Sequence, residues 1–205
     1  MKTLFFFAVC FAIVAGLFFS AIKNYDTKVD NLVSALQPVS DFKSPKSKCT
    51  SKNGLPDPIC NHPVINKNLT IKQVCNKSFR TGSIRPPTSY TNPLKIQKMK
   101  DYGYAPVTSL FELDHIMPIY ALGDPRSPDN LWPQYWSLNV NGFEAGARTK
   151  DKLEVFSHKL LCSGKTDMKG IEKCFTDWIS CYRDWIGELP KYDPALLGGG
   201  EERVE

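Results

Sequence analysis

The stretch Phe111-Glu112-Leu113-Asp114-His115-Ile116-Met117-Pro118, followed by Asp129-Asn130-Leu131-Trp132-Pro133, decides how this chain is read. A carboxylate and an imidazole stand side by side at the end of an apolar run, and a carboxamide follows 15 positions after the histidine. A histidine with a pKa near neutrality can act as a general base. A carboxylate can hold a divalent cation that stabilises charge on a phosphate and on its leaving oxygen. An Asn carbonyl can take the second ring nitrogen of the base and keep it aimed at one water. These residue types suit metal-assisted hydrolysis of a phosphodiester.

Working outward, residues 111–117 read as a strand and 121–128 as a loop, with Gly123, Pro125 and Pro128 as breakers. Leu131-Trp132-Pro133 reads as a short second strand, ended by its proline. A helix is expected from about 147 to 161, with Leu153, Phe156 and Leu160 as its apolar stripe and Gly164 to stop it. A second amphipathic helix is expected from 167 to about 186, where Ile171, Phe175, Trp178, Ile179, Tyr182 and Trp185 recur at helical spacing. Upstream, a helix is expected from Pro93, capped by Thr91 or Asn92, to Gly103. The fold class that follows is α+β.

The 205 residues suffice for one domain and a leader. With 42% apolar, 12% aromatic and 23% charged residues, the composition fits a globular protein rather than a disordered one. The net charge of +5 is unevenly spread. Residues 58–100 carry eight Lys or Arg and no Asp or Glu, whereas residues 101–205 carry 11 basic and 17 acidic residues. A one-sign block of that length attracts polyanions, nucleic acid among them; the plainer reading is a solvated basic face.

Lys2 followed by an apolar run over 4–22 reads as an export signal, and a cleaved signal peptide and an uncleaved membrane anchor both fit. The expected organisation is a leader over 1–22, a polar arm over 23–58, a domain over 59–190 and a disordered tail over 191–205. Such a protein faces an extracytoplasmic compartment, secreted or membrane-anchored. Cys10 lies in the leader; the other six cysteines form an even set, so disulfides are the default, with 15 pairings open.

The span from Asp114 into the following helix resembles an HNH, or His-Me finger, endonuclease motif of the Asp-His type. A wider pattern is similar to that of a group of small HNH-like proteins. It comprises Arg85-Pro86-Pro87-x-Ser89-Tyr90-Thr91, Tyr102-Gly103-Tyr104, Glu112-x-Asp114-His115, Gly123-x-Pro125-Arg126-x-Pro128-x-Asn130-Leu131-Trp132-Pro133-Gln134, Lys150-Asp151-x-Leu153-Glu154, His158 and Cys162-Ser163-Gly164. The resemblance implies a small ββα-metal core with flanking helices. It implies Asp114 as a metal ligand, His115 as the general base and Asn130 as the residue that orients it.

The family's last ligand, a His or Asn shortly before a Lys, has no counterpart in Gly146-Ala147-Arg148-Thr149. Glu154 and His158, four apart and on one helical face with Lys150, are the expected substitutes, and Glu144 is a further candidate. The implied cofactor is a divalent metal, Mg²⁺ first, with Mn²⁺ or Zn²⁺ as alternatives. The implied partner is nucleic acid, DNA first, bound with low sequence specificity through Arg85, Lys95, Lys98, Arg126, Arg148 and Lys150. The rival expectation is a disulfide-stabilised binding or cell-surface protein that keeps the scaffold without catalysis. A third is a structural zinc site on Asp114, His115 and His158.

Overall fold

The computed structural model of the chain describes residues 47–196. The expected leader, residues 23–46 of the polar arm and the end of the tail lie outside the described residues. Among those described, no helix is long and apolar enough to cross a membrane.

The protein is a mixed α+β structure with small antiparallel sheets. Helix α1 covers Ile71–Val74 and α2 covers Thr88–Asp101. Strand β1, Phe111–His115, pairs antiparallel with β2, Leu131–Tyr135, placing Glu112 opposite Gln134 and Asp114 opposite Trp132. A second ribbon, β3 (Asn139–Val140) with β4 (Phe143–Glu144), leads into α3, Ala147–Cys162. Helices α4 (Met168–Thr176) and α5 (Trp178–Trp185) complete it.

Several boundaries differ from the sequence reading: β1 ends at His115, two residues short of the expected strand, and the β3–β4 ribbon stands where no element was expected. Helix α2 begins at Thr88, so Pro93 lies inside it and not in its first turn. Strand β2 runs through Pro133 to Tyr135; a two-stranded sheet leaves β2 one unpaired edge, where a residue without an N–H is tolerated. The single helix expected over 167–186 is two helices, broken at Asp177, whose carboxylate caps α5 by accepting from Ser180 N. The disulfide Cys174–Cys181 accounts for the break: seven residues of continuous helix advance about 10 Å, whereas these Cα atoms are 5.1 Å apart.

The other disulfides are Cys49–Cys60 and Cys75–Cys162. The first lies at the end of the expected arm, and residues 47–58 are packed: Trp178 Nε1 donates to the Gly54 carbonyl, and Cys49 is buried with Tyr102, Ile116 and Trp132. The main core gathers Met117, Leu153, Ile171, Phe175 and Trp178 between α3, α4, α5 and the loop after β1. Burial of these side chains is the dominant stabilising term. Gly164 ends α3 in the left-handed region, φ +70°, with Lys165 N donating to the Leu160 carbonyl.

Candidate active site

The loop between β1 and β2 is built around Asn130, which is fully buried. Its Oδ1 accepts from Met117 N at 2.8 Å and Val64 N at 3.2 Å, and its Nδ2 donates to the carbonyls of Met117 and Asp124 at 3.0 Å each. The expectation that this carboxamide orients His115 is therefore corrected: both amide donors and the carbonyl are spent on backbone. Asn130 fixes the shape of the loop instead. Gly123 permits the same fold-back, since a Cβ there would stand 1.8 Å from the Met117 carbonyl oxygen.

That loop shape supplies what Asn130 does not. It brings the Pro125 carbonyl to 3.4 Å from His115 Nε2, so Nε2–H points at Pro125 and Nδ1 is left as the acceptor. His115 is 7% exposed. Burial lowers its pKa to about 4, the Asp114 carboxylate opposing and the Arg85 cation adding to the fall. The imidazole is thus neutral at physiological pH.

Beside it, Asp114 accepts from His115 N through Oδ1 at 2.8 Å and meets the Lys150 ammonium through Oδ2 at 2.9 Å. Lys150 Nζ also makes a short ion pair with Glu154 and donates to the His115 carbonyl at 2.7 Å. Lys150 is 1% exposed. Burial pulls its pKa down, but the two carboxylates outweigh that and the net shift is upward. Burial raises the Glu154 carboxyl to about 7 despite the ammonium. The nucleic-acid role expected of Lys150 is corrected by this burial, because its charge is consumed inside the protein.

Glu112 belongs to the same cluster. Two residues before Asp114 on β1, it shares that strand face. Burial raises its pKa well above the usual range, and Asp114, Asp151 and Glu154 add to the rise. Its buried Oε2 has no hydrogen-bond partner, and neither has either amide atom of Gln134 opposite. Period-two alternation in Glu112-x-Asp114 was the sequence signal for this group. The Pro125 carbonyl had none, since any residue type carries one.

His158 stands apart from this cluster, which corrects its expected ligand role beside Asp114. Its Nε2 lies 3.0 Å from the Val74 carbonyl and 3.3 Å from Cys162 Sγ, with the Tyr120 ring against it. Glu144 is likewise occupied elsewhere, holding Ser137 Oγ and the Leu138 and Gly146 amides of the turn into α3. Of the remaining cations, Lys95 and Lys98 are buried where α2 packs on the β1–β2 hairpin, and burial lowers the Lys98 pKa. They do not form an open phosphate track, contrary to expectation. Arg85 and Arg126 are exposed; Arg126 lies over the Tyr90 ring, and half-buried Arg148 over that of Trp136.

The implied metal can be tested against these donors. Asp114 Oδ2 and Glu154 Oε1 flank one point, and hard oxygens suit Mg²⁺ or Mn²⁺. Glu112 lies on the same strand face as Asp114 and interacts electrostatically with both carboxylates. The donor chemistry fits a hard divalent ion on one condition: the Lys150 ammonium holds that point and must yield it. In comparisons with known proteins, the chain matches no family model, no curated protein and no solved structure.

Proposed function

We propose that this chain is an exported, HNH-type endonuclease built on a ββα-metal core, hydrolysing phosphodiester bonds in nucleic acid, DNA first, without base-specific readout. The observation that carries the reading is the His115 imidazole, its Nε2 3.4 Å from the Pro125 carbonyl, beside the two carboxylates that clasp the Lys150 ammonium. Nδ1 takes a proton from water as the water oxygen bonds to phosphorus; the P–O bond to one sugar oxygen breaks, and that oxygen leaves with the electron pair and takes up the proton that Nδ1 received. The pKa near 4 makes His115 a weak base that is in its basic form at neutral pH. Arg85 and Arg126, exposed near the histidine in space and in sequence respectively, contact phosphates on either side of the scissile bond. With the Lys150 ammonium displaced, Asp114 and Glu154 would hold a divalent ion, which would supply Lewis-acid stabilisation of the developing charge.

A second reading is favoured by Lys150. If its ammonium keeps the cation point, the scaffold binds without hydrolysing. Incubating the full chain with supercoiled plasmid, with Mg²⁺ or Mn²⁺ and with chelator, separates the two. The nuclease reading expects metal-dependent nicking that falls roughly 100-fold or more in His115→Ala. Equal nicking by the variant would remove His115 as the base. No nicking and no cation binding at millimolar metal would overturn the nuclease reading and support the inactive scaffold.

A further inference from the structure

Among the described residues, three metal-ligating side chains converge at one place: Cys75, His158 and Cys162 present ligand atoms all within 4.8 Å of one another. This cluster shares no residue with Asp114, His115 and Glu154. His158 and Cys162 stand four apart on the last turns of α3, so both project from one face. Cys75 meets them from the end of α1, its Cα 5.4 Å from that of Cys162. Cys75 and His158 are partly exposed and Cys162 is exposed, so solutes reach the group. The disulfide consumes both sulfurs, yet the imidazole remains 3.3 Å from Cys162 Sγ. An imidazole is not needed to keep a disulfide closed; two thiolates and an imidazole are the ligands of a thiophilic metal.

We infer that Cys75, Cys162 and His158 form a redox-gated site for Zn²⁺, closed to metal while the disulfide stands and open once it is reduced. A dithiol reductant delivers two electrons and two protons, cleaving the S–S bond to two thiols, and itself ends as a disulfide. Zn²⁺ then displaces one proton from each thiol. The sulfurs part to roughly 3.8 Å, as two tetrahedral ligands at about 2.3 Å require. His158 moves its ring proton to Nδ1 and turns the Nε2 lone pair from the Val74 carbonyl to the metal. Water completes the fourth position. The same end of α3 is thus tied to α1 by a covalent bond under oxidising conditions and by a metal under reducing ones.

The test uses the full chain, oxidised or reduced with a phosphine that is then removed, and titrated anaerobically with Zn²⁺ and with Co²⁺ as a spectroscopic stand-in. Cys75→Ser/Cys162→Ser, reduced identically, controls for the other four cysteines of the domain. The expected result is one Zn²⁺ per reduced chain, thiolate-to-Co²⁺ charge transfer, and no tight site in the oxidised chain or the double variant. His158→Ala should weaken binding by more than the roughly 10- to 100-fold lost when only a ligand's supporting hydrogen bond is removed. His158→Gln serves if the alanine variant fails to fold. Equal affinity in a folded His158 variant, retention in the double variant, or a reduced chain that unfolds and is not refolded by Zn²⁺ would each overturn the inference. None of these outcomes bears on plasmid cleavage, so the nuclease reading stands or falls separately.

Discussion

Replacing Lys150 by Met removes a buried ammonium and leaves a side chain of similar length. Its Nζ is 2.9 Å from Asp114 Oδ2, in short contact with Glu154, and 2.7 Å from the His115 carbonyl. Removing one partner of such a buried pair costs about 3–5 kcal/mol, because the remaining charges lose compensation. For a domain whose whole stability is on the order of 5–15 kcal/mol, that lowers the melting temperature by roughly 6–20 °C. The loss must also depend on pH. Glu154 already titrates near 7 with the lysine present, above its unfolded value of 4.5, and the lysine is what opposes burial there.

Without the lysine, burial and the neighbouring carboxylates act on Glu154 unopposed, and its carboxyl rises further. A carboxyl raised on folding contributes stability that is present below its unfolded pKa and lost as pH rises toward the folded one. Each carboxyl held neutral adds a slope of up to about 1.4 kcal/mol per pH unit. Urea unfolding of wild type and Lys150→Met at pH 5 and pH 8 measures this. The variant should be mildly destabilised at pH 5 and strongly at pH 8. A loss below about 1 kcal/mol at pH 8, or one equal at both pH values, refutes the buried ion-pair account. Divalent-cation titration of the same variant reads out the competition: tighter binding than wild type is expected if the ammonium and the metal share one point.

Asn130→Ala should cost several kcal/mol, since it strands the buried amide and carbonyl of Met117 and the partly buried Val64 amide and Asp124 carbonyl; a stable variant with only a catalytic defect would return Asn130 to the role of orienting the base. His115 ring resonances followed by NMR should hold still from pH 8 to about 5 and begin to shift only near 4; a midpoint near 6.5 would show an imidazole open to water. Breaking Cys75–Cys162, which spans 87 residues, should destabilise by about 4–5 kcal/mol, and breaking Cys174–Cys181, which spans seven, by about 2–3. Chemical denaturation of the serine pairs checks both, and an inverted order would contradict the loop-entropy reasoning.

The residues of the cluster were legible before the fold was. Asp114 and His115 announce themselves by type, and Glu154 by its spacing from Lys150, because helix and strand periods are local properties of the chain. The α+β class and the helix over 147–162 were legible on the same grounds. Roles were less so. Asn130 looked like a partner for the base because its amide has the right atoms; only the closed loop shows those atoms taken by Val64, Met117 and Asp124. Lys150 looked like a surface cation because lysines usually are; the packing of α3 on β1 turned it inward onto Asp114. His158 looked like a third ligand until the fold set it beside Cys162 and α1.

By itself the sequence determined composition, an even set of six cysteines suited to disulfides, the strand–loop–strand order over 111–135, the helix from 147 and the identity of the titratable groups. The tertiary structure alone decided the disulfide pairing, the neutral state of His115, its positioning by Pro125 and the occupation of the cation point by an ammonium. The physical reason is one of range. Periodicity and propensity act within a few residues, whereas desolvation and ion pairing depend on what long-range packing brings within about 4 Å.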